Sequence, residues 1–151
     1  RDRVEGYIAK GKEEGARVVI GGGRPAHLDK GYFVEPTIFA DVDNSMTIAR
    51  EEIFGPVLCV LPYDSVDEAV KIANDSDYGL AGSVYTTDIE KGLEIASRVR
   101  TGTYGINWYA FDPGSPFGGF KNSGIGRENG PEGLEAFCEL KSVLYPPGYE
   151  G

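Results

Sequence analysis

Two short signatures, Ser65-Val66-Asp67-Glu68 and Thr87-Asp88-Ile89-Glu90, each set a hydroxyl residue three positions ahead of a glutamate, at the head of a run of helix-forming residues. That spacing lets the hydroxyl accept from an unpaired backbone N–H of the first helical turn while the glutamate reaches back, so each signature predicts a helix start. Val66, Ala69, Val70 and Ala73 then share one face of the first helix, and Ile89, Leu93, Ala96 and Val99 form a stripe on the second. Three strand-like runs bracket the helices: Ile53 to Pro62, Ala81 to Thr86 and Thr103 to Asn107. The order strand, helix, strand, helix, strand predicts an α/β fold built on right-handed crossovers, with an open, mostly parallel sheet and helices on both faces.

The flanking sequence extends this pattern. Residues 2 to 14 read as a charged amphipathic helix, Arg17 to Ile20 as a short strand ended by Gly21-Gly22-Gly23, and Tyr32-Phe33-Val34 and Thr37-Ile38-Phe39 as further strand, bent at Pro36. Pro131 to Glu139 reads as a helix with proline in its first turn, and Leu140 to Tyr145 as a last strand. That strand has no obvious partner in the chain, so it either joins the domain's own sheet or pairs with another subunit. With no repeats and no boundary signal, residues 1 to 151 read as a single domain. The chain opens on Arg1, directly inside a helix, and looks like a piece of a longer polypeptide.

Between Trp108 and Gly130 the regular pattern stops. This segment holds six glycines, two prolines and five aromatics (Trp108, Tyr109, Phe111, Phe117 and Phe120) with neither helical nor strand periodicity. Connections this long inside a compact domain are uncommon and usually functional. Glycine lets backbone approach a ligand closely, and aromatic rings supply rigid apolar walls. The segment also follows the carboxyl end of a strand, where open parallel sheets bind ligands. A surface loop whose aromatics fill a gap in the core is the competing reading.

A formal net charge of -9 argues against nucleic acid and anionic membrane as partners. Nothing resembles a membrane span or a signal peptide, which makes a cytoplasmic location the expectation. Cys59 and Cys138 lie in apolar sequence without metal-ligand spacing, and the chain has one histidine, so both thiols read as packing groups and no metal is expected. Gly21 to Ala26 formally fits the glycine-rich dinucleotide pattern, but Pro25 and the residues after it offer no helix to face a pyrophosphate. Glu51 and Glu52 stand side by side, and neighbouring strand residues point to opposite faces, so only one carboxylate can serve a given cleft. Such a carboxylate beside Phe54 could accept two hydrogen bonds from a sugar diol while the ring borders a flat heterocycle; two solvated charges are the plainer alternative.

Three segments together resemble the C-terminal third of the NAD(P)-dependent aldehyde dehydrogenases. They are Glu51-Glu52-Ile53-Phe54-Gly55-Pro56-Val57, Asn74-Asp75-Ser76-Asp77-Tyr78-Gly79-Leu80-Ala81, and Ser115 through Glu128 (Ser-Pro-Phe-Gly-Gly-Phe-Lys-Asn-Ser-Gly-Ile-Gly-Arg-Glu). The resemblance runs from Arg1 to about Tyr145, in family order and spacing.

In that family a cysteine thiolate attacks the aldehyde, hydride passes to a nicotinamide, and a glutamate activates the water that hydrolyses the thioester. The resemblance implies that Glu52 binds the nicotinamide-ribose hydroxyls, that Phe54 borders the nicotinamide of NAD or NADP, and that Phe117 forms a wall of the aldehyde tunnel. Tyr109, Phe111 and Asp112 fall in the variable stretch at the tunnel mouth, where Asp112 departs from the apolar residue common in relatives. Glu128 falls on an auxiliary proton path. The nucleophile and the general base lie upstream of this region in relatives, and neither cysteine here matches the nucleophile, so these 151 residues alone are expected to be inactive. The last strand resembles a tail near subunit contacts, which implies a homo-oligomer. A non-enzymatic assembly module and a small sugar- or aromatic-binding protein remain as alternative functions.

Overall fold

A computed structural model describes residues 1–150 and divides into two compact units, one ending at Ser76 and the other beginning at Asp77. The first unit opens with helix α1 (Asp2–Glu13), whose Val4 and Ile8 are buried. Strands β1 (Arg17–Ile20), β2 (Thr37–Ala40) and β3 (Val57–Cys59) form one sheet in that order, β1 antiparallel and β3 parallel to β2. A one-turn helix α2 (Thr47–Arg50), not expected from the sequence, lies between β2 and β3. Its start is fixed by Glu14, whose carboxylate accepts from the Thr47 amide at 2.9 Å and the Thr47 hydroxyl at 2.6 Å. Val4, Ile8, Ala16, Phe39, Val42, Ile48 and Ile53 make the core, with Phe39 fully buried.

Helix α3 (Val66–Asn74) starts where the Ser65 signature puts it. The Ser65 hydroxyl accepts from the Glu68 amide, and the Glu68 carboxylate accepts from the Asp64 amide one residue earlier than a standard capping box requires. Val70 is buried and Val66 and Ala69 are half-buried, while Ala73 is exposed.

In the second unit β4 (Tyr78–Gly79) pairs antiparallel with β7 (Phe120–Lys121), and β5 (Ala81–Val84) pairs parallel with β6 (Thr103–Ile106). Helix α4 (Ile89–Arg98) packs on β5 and β6, giving one β-α-β unit of the expected kind. Its N-cap is Asp88, which accepts from the Lys91 amide, and not Thr87; the helix begins one residue later and a carboxylate takes the capping role. Ile89 and Leu93 are exposed, because the helix approaches the sheet through Gly92. A Cβ there would meet Ile106 Cγ2 at 2.9 Å. Helix α5 (Gly130–Glu135) ends earlier than its sequence suggested.

Among the described residues the fold is therefore α/β with mixed pairing in three small sheets, in place of one mostly parallel sheet. Ile53 to Pro56 leaves the expected long strand because Phe54 adopts φ 56° and Pro56 lacks an N–H, so pairing begins only at Val57. Tyr32 to Val34 is irregular. Leu140 to Tyr145 forms no ladder among the described residues, and Leu140 is 103% exposed. No helix among the described residues is long and apolar enough to cross a membrane.

Candidate functional site

The residues singled out in the sequence fall into two groups, one in each unit. In the first, the segment from Glu51 to Gly55 is fastened at alternate positions. The Tyr7 hydroxyl donates to the Glu51 carboxylate at 2.7 Å. Ile53 is buried in the core, and Gly55 sits so close to α1 that a Cβ would lie 2.5 Å from Val4 Cγ2. Glu52 and Phe54 lie between these anchors. The Glu52 carboxylate has no hydrogen bond or ion pair among the described residues, while its backbone carbonyl accepts from the Arg3 guanidinium. Phe54, held at φ 56°, presents a ring that is 84% exposed. A bulky side chain in that conformation is strained, and strain of this kind collects at binding sites.

Sequence spacing alone could not choose between the two glutamates. In the structure they differ in that Tyr7, 44 residues away, engages Glu51. Arg3, one helical turn before Tyr7, lies over its ring at 5.3 Å. That i, i+4 spacing on α1 was visible in the sequence; its pairing with Glu51 had no sequence signal.

The second group surrounds a cavity of about 130 Å³ whose lining includes Thr103, Tyr109, Phe111, Asp112 and Phe117. Asn107 sets where the loop leaves β6: its Oδ1 accepts from the Thr86 amide and its Nδ2 donates to the Thr86 carbonyl, both at 2.7 Å. Phe111 and Phe117 then meet edge to face with centroids 6.1 Å apart. Asp112 does not stand free in this cavity. Its carboxylate accepts from the Ser115 hydroxyl at 2.7 Å and the Gly114 amide at 2.9 Å, and these bonds hold its carboxyl below the usual aspartate range. Thr103, missed in the sequence, has a buried hydroxyl without a hydrogen-bond partner among the described residues.

Phe117 and Glu128 close the glycine-rich loop as an antiparallel bridge. Inside it, the Arg127 guanidinium donates to the carbonyls of Gly119, Ile125 and Gly126 and lies 5.6 Å from the centre of the Phe120 ring, which Arg100 also approaches. Gly118 is required here, because a Cβ would stand 2.1 Å from the Gly126 carbonyl oxygen.

Cys59 is half-buried, its Sγ 3.4 Å from the Ile48 carbonyl, and burial pushes its pKa up. Cys138 is exposed, contrary to the packing role expected of it, because the helix it was expected to close ends at Glu135.

A model of the aldehyde dehydrogenase family matches residues 1–143. The chain is 57% identical over 143 residues to geranial dehydrogenase from Castellaniella defragrans, covering 95% of this chain and 30% of that protein. A Mycobacterium tuberculosis aldehyde dehydrogenase complexed with NAD+ superposes with a TM-score of 0.96 at 72% identity, over 99% of this chain and 31% of that one. Pseudomonas syringae aldehyde dehydrogenase C, in a complex with NAD+ and octanal, gives 0.94 at 47% identity, again over 99% and 31%. The chain thus spans about 30% of the length of the curated relatives it matches.

Proposed function

Because this chain belongs to the aldehyde dehydrogenase family, we propose that it forms the C-terminal part of the catalytic domain of an enzyme that oxidises an aldehyde to a carboxylic acid with NAD. NAD is the cofactor in the related Mycobacterium tuberculosis and Pseudomonas syringae structures. The observation that carries the reading is the pair Glu52 and Phe54, an uncommitted carboxylate beside an outward ring, which suits a ribose diol and a flat heterocycle. Bound nicotinamide supplies the hydride acceptor. Glu52 accepts the ribose hydroxyls, Phe54 borders the ring, and Phe117, Tyr109 and Phe111 line the path of an aldehyde with an apolar tail, the kind of molecule represented by octanal in the Pseudomonas relative. Asp112 shapes that path by ordering its loop, and Glu128 contributes an auxiliary proton path.

The 151 residues carry contacts for cofactor and substrate without a reactive cysteine. With NAD and a range of aldehydes the chain by itself should show no turnover; turnover abolished by a thiol reagent would overturn this. Leu140 to Tyr145, with its apolar side chains exposed, is assigned to pairing with another subunit. A cytoplasmic location is part of this proposal.

Trp108 is the single tryptophan and adjoins the cavity lining at Tyr109, so its fluorescence tests the substrate assignment. Titration with octanamide, an unreactive aldehyde analogue, should quench it saturably, and Phe117→Ala should weaken that response about tenfold. A Phe117→Ala curve superimposable on the parent's removes Phe117 from the site.

A further inference from the structure

Glu51 and Glu52 are chemically equivalent neighbours, yet a diol can be gripped by only one of them. In solution terms both are exposed carboxylates. What separates them is α1: the Tyr7 hydroxyl occupies Glu51 at 2.7 Å, and Arg3 reaches the Tyr7 oxygen at 3.4 Å while donating to the backbone carbonyl of Glu52. Arg3 also covers the Tyr7 ring, so phenol, guanidinium and both glutamate residues form one connected cluster. Ile53 and Gly55 fix the other side of the segment against Val4 and the core. Between these anchors the Glu52 carboxylate has no partner among the described residues and the Phe54 ring is exposed.

Resting on the cofactor reading above, we infer that Tyr7 and Arg3 are positioning residues that commit Glu51 to the protein and leave Glu52 as the diol acceptor, with Phe54 turned out beside it. Tyr7 draws off one negative acceptor by a charge-assisted hydrogen bond, and Arg3 orients the Glu52 peptide. Neither residue touches the ribose. Without the phenol hydroxyl, Glu51 is released next to Glu52, the two carboxylates exchange roles, and the diol loses a fixed partner.

The test is a titration of the 151-residue chain with nicotinamide riboside, followed through backbone amide chemical shifts. In the parent chain the amides of Glu52 and Phe54 should shift saturably. Tyr7→Phe keeps the ring beneath Arg3, so its melting midpoint should match the parent's, while its apparent affinity should fall about threefold to tenfold. Glu51→Gln, whose amide oxygen still accepts from Tyr7, should bind as the parent does. The double variant Tyr7→Phe/Glu51→Gln should regain most of the lost affinity, because the released neighbour is no longer a carboxylate.

Equal affinity in Tyr7→Phe and the parent, or no recovery in the double variant, overturns the positioning role while leaving the cofactor contact intact. Absence of shifts at Glu52 and Phe54 in the parent removes the cofactor contact itself, and this inference with it.

Discussion

The Phe117 amide donates to the Glu128 carbonyl at 2.7 Å, and the Glu128 amide returns a bond of 2.7 Å to the Phe117 carbonyl. The proposed tunnel wall and the proposed proton path are therefore one backbone unit, whose geometry does not depend on either side chain. Phe117→Ala should weaken ligand binding while the amides of 117 and 128 keep their hydrogen-exchange protection. Loss of protection at both positions would assign the binding defect to a collapsed loop and not to the missing ring.

Arg127 holds that loop from inside. Removing it leaves three carbonyls without their donor and Phe120 without one of its two guanidinium neighbours. Arg127→Ala should cost the second unit about 1.5–3 kcal/mol in a denaturant titration. Arg127→Lys should recover less than half, because an ammonium can meet the carbonyls but lacks the delocalised planar group that lies near the Phe120 ring. Full recovery by lysine would mean that charge alone matters there.

Phe54 gives up stability for display. At φ 56° with most of its surface in water, it contributes strain without burial. Asparagine adopts left-handed backbone more readily, so Phe54→Asn should stabilise the first unit by about 1 kcal/mol and abolish the nicotinamide riboside response. A lower melting midpoint would show that the ring packs favourably in solution.

Asp112 makes the loop sensitive to acid in a definite direction. Its native carboxyl titrates below the ordinary range, through the Ser115 hydroxyl first and the Gly114 amide second. The stabilisation it provides is complete above the unfolded value of about pH 3.9 and is lost as pH falls through the lowered native value. Trp108 emission should therefore hold steady from neutral pH to about pH 5 and change only below about pH 4. Asp112→Asn, which cannot titrate but can keep an acceptor for the turn, should lack that step. An identical acid transition in this variant would trace it to another carboxylate.

Much of the local structure was legible in the residues. Asp2 to Glu13, the start at Ser65 and the β5-α4-β6 unit followed from apolar spacing and capping chemistry, because those signals act within a few positions of the residues they organise. The resemblance, carried by Glu51 to Val57 and Ser115 to Glu128, proposed Glu52, Phe54 and Phe117 as contacts. The α4 face was misjudged because a glycine with no hydrophobic weight, Gly92, marks the closest approach to the sheet.

Local residue chemistry therefore sets which groups are available and where the main helices begin. Which of those groups stay uncommitted depends on packing between distant segments. Asp112, an anomalous charge in the sequence, is occupied by its own turn, and Glu51 is occupied by a tyrosine 44 positions away, whereas the Glu52 carboxylate has no partner among the described residues. Two adjacent carboxylates carry the same local information, and the hydrogen bond that distinguishes them exists only after α1 has packed beside their segment.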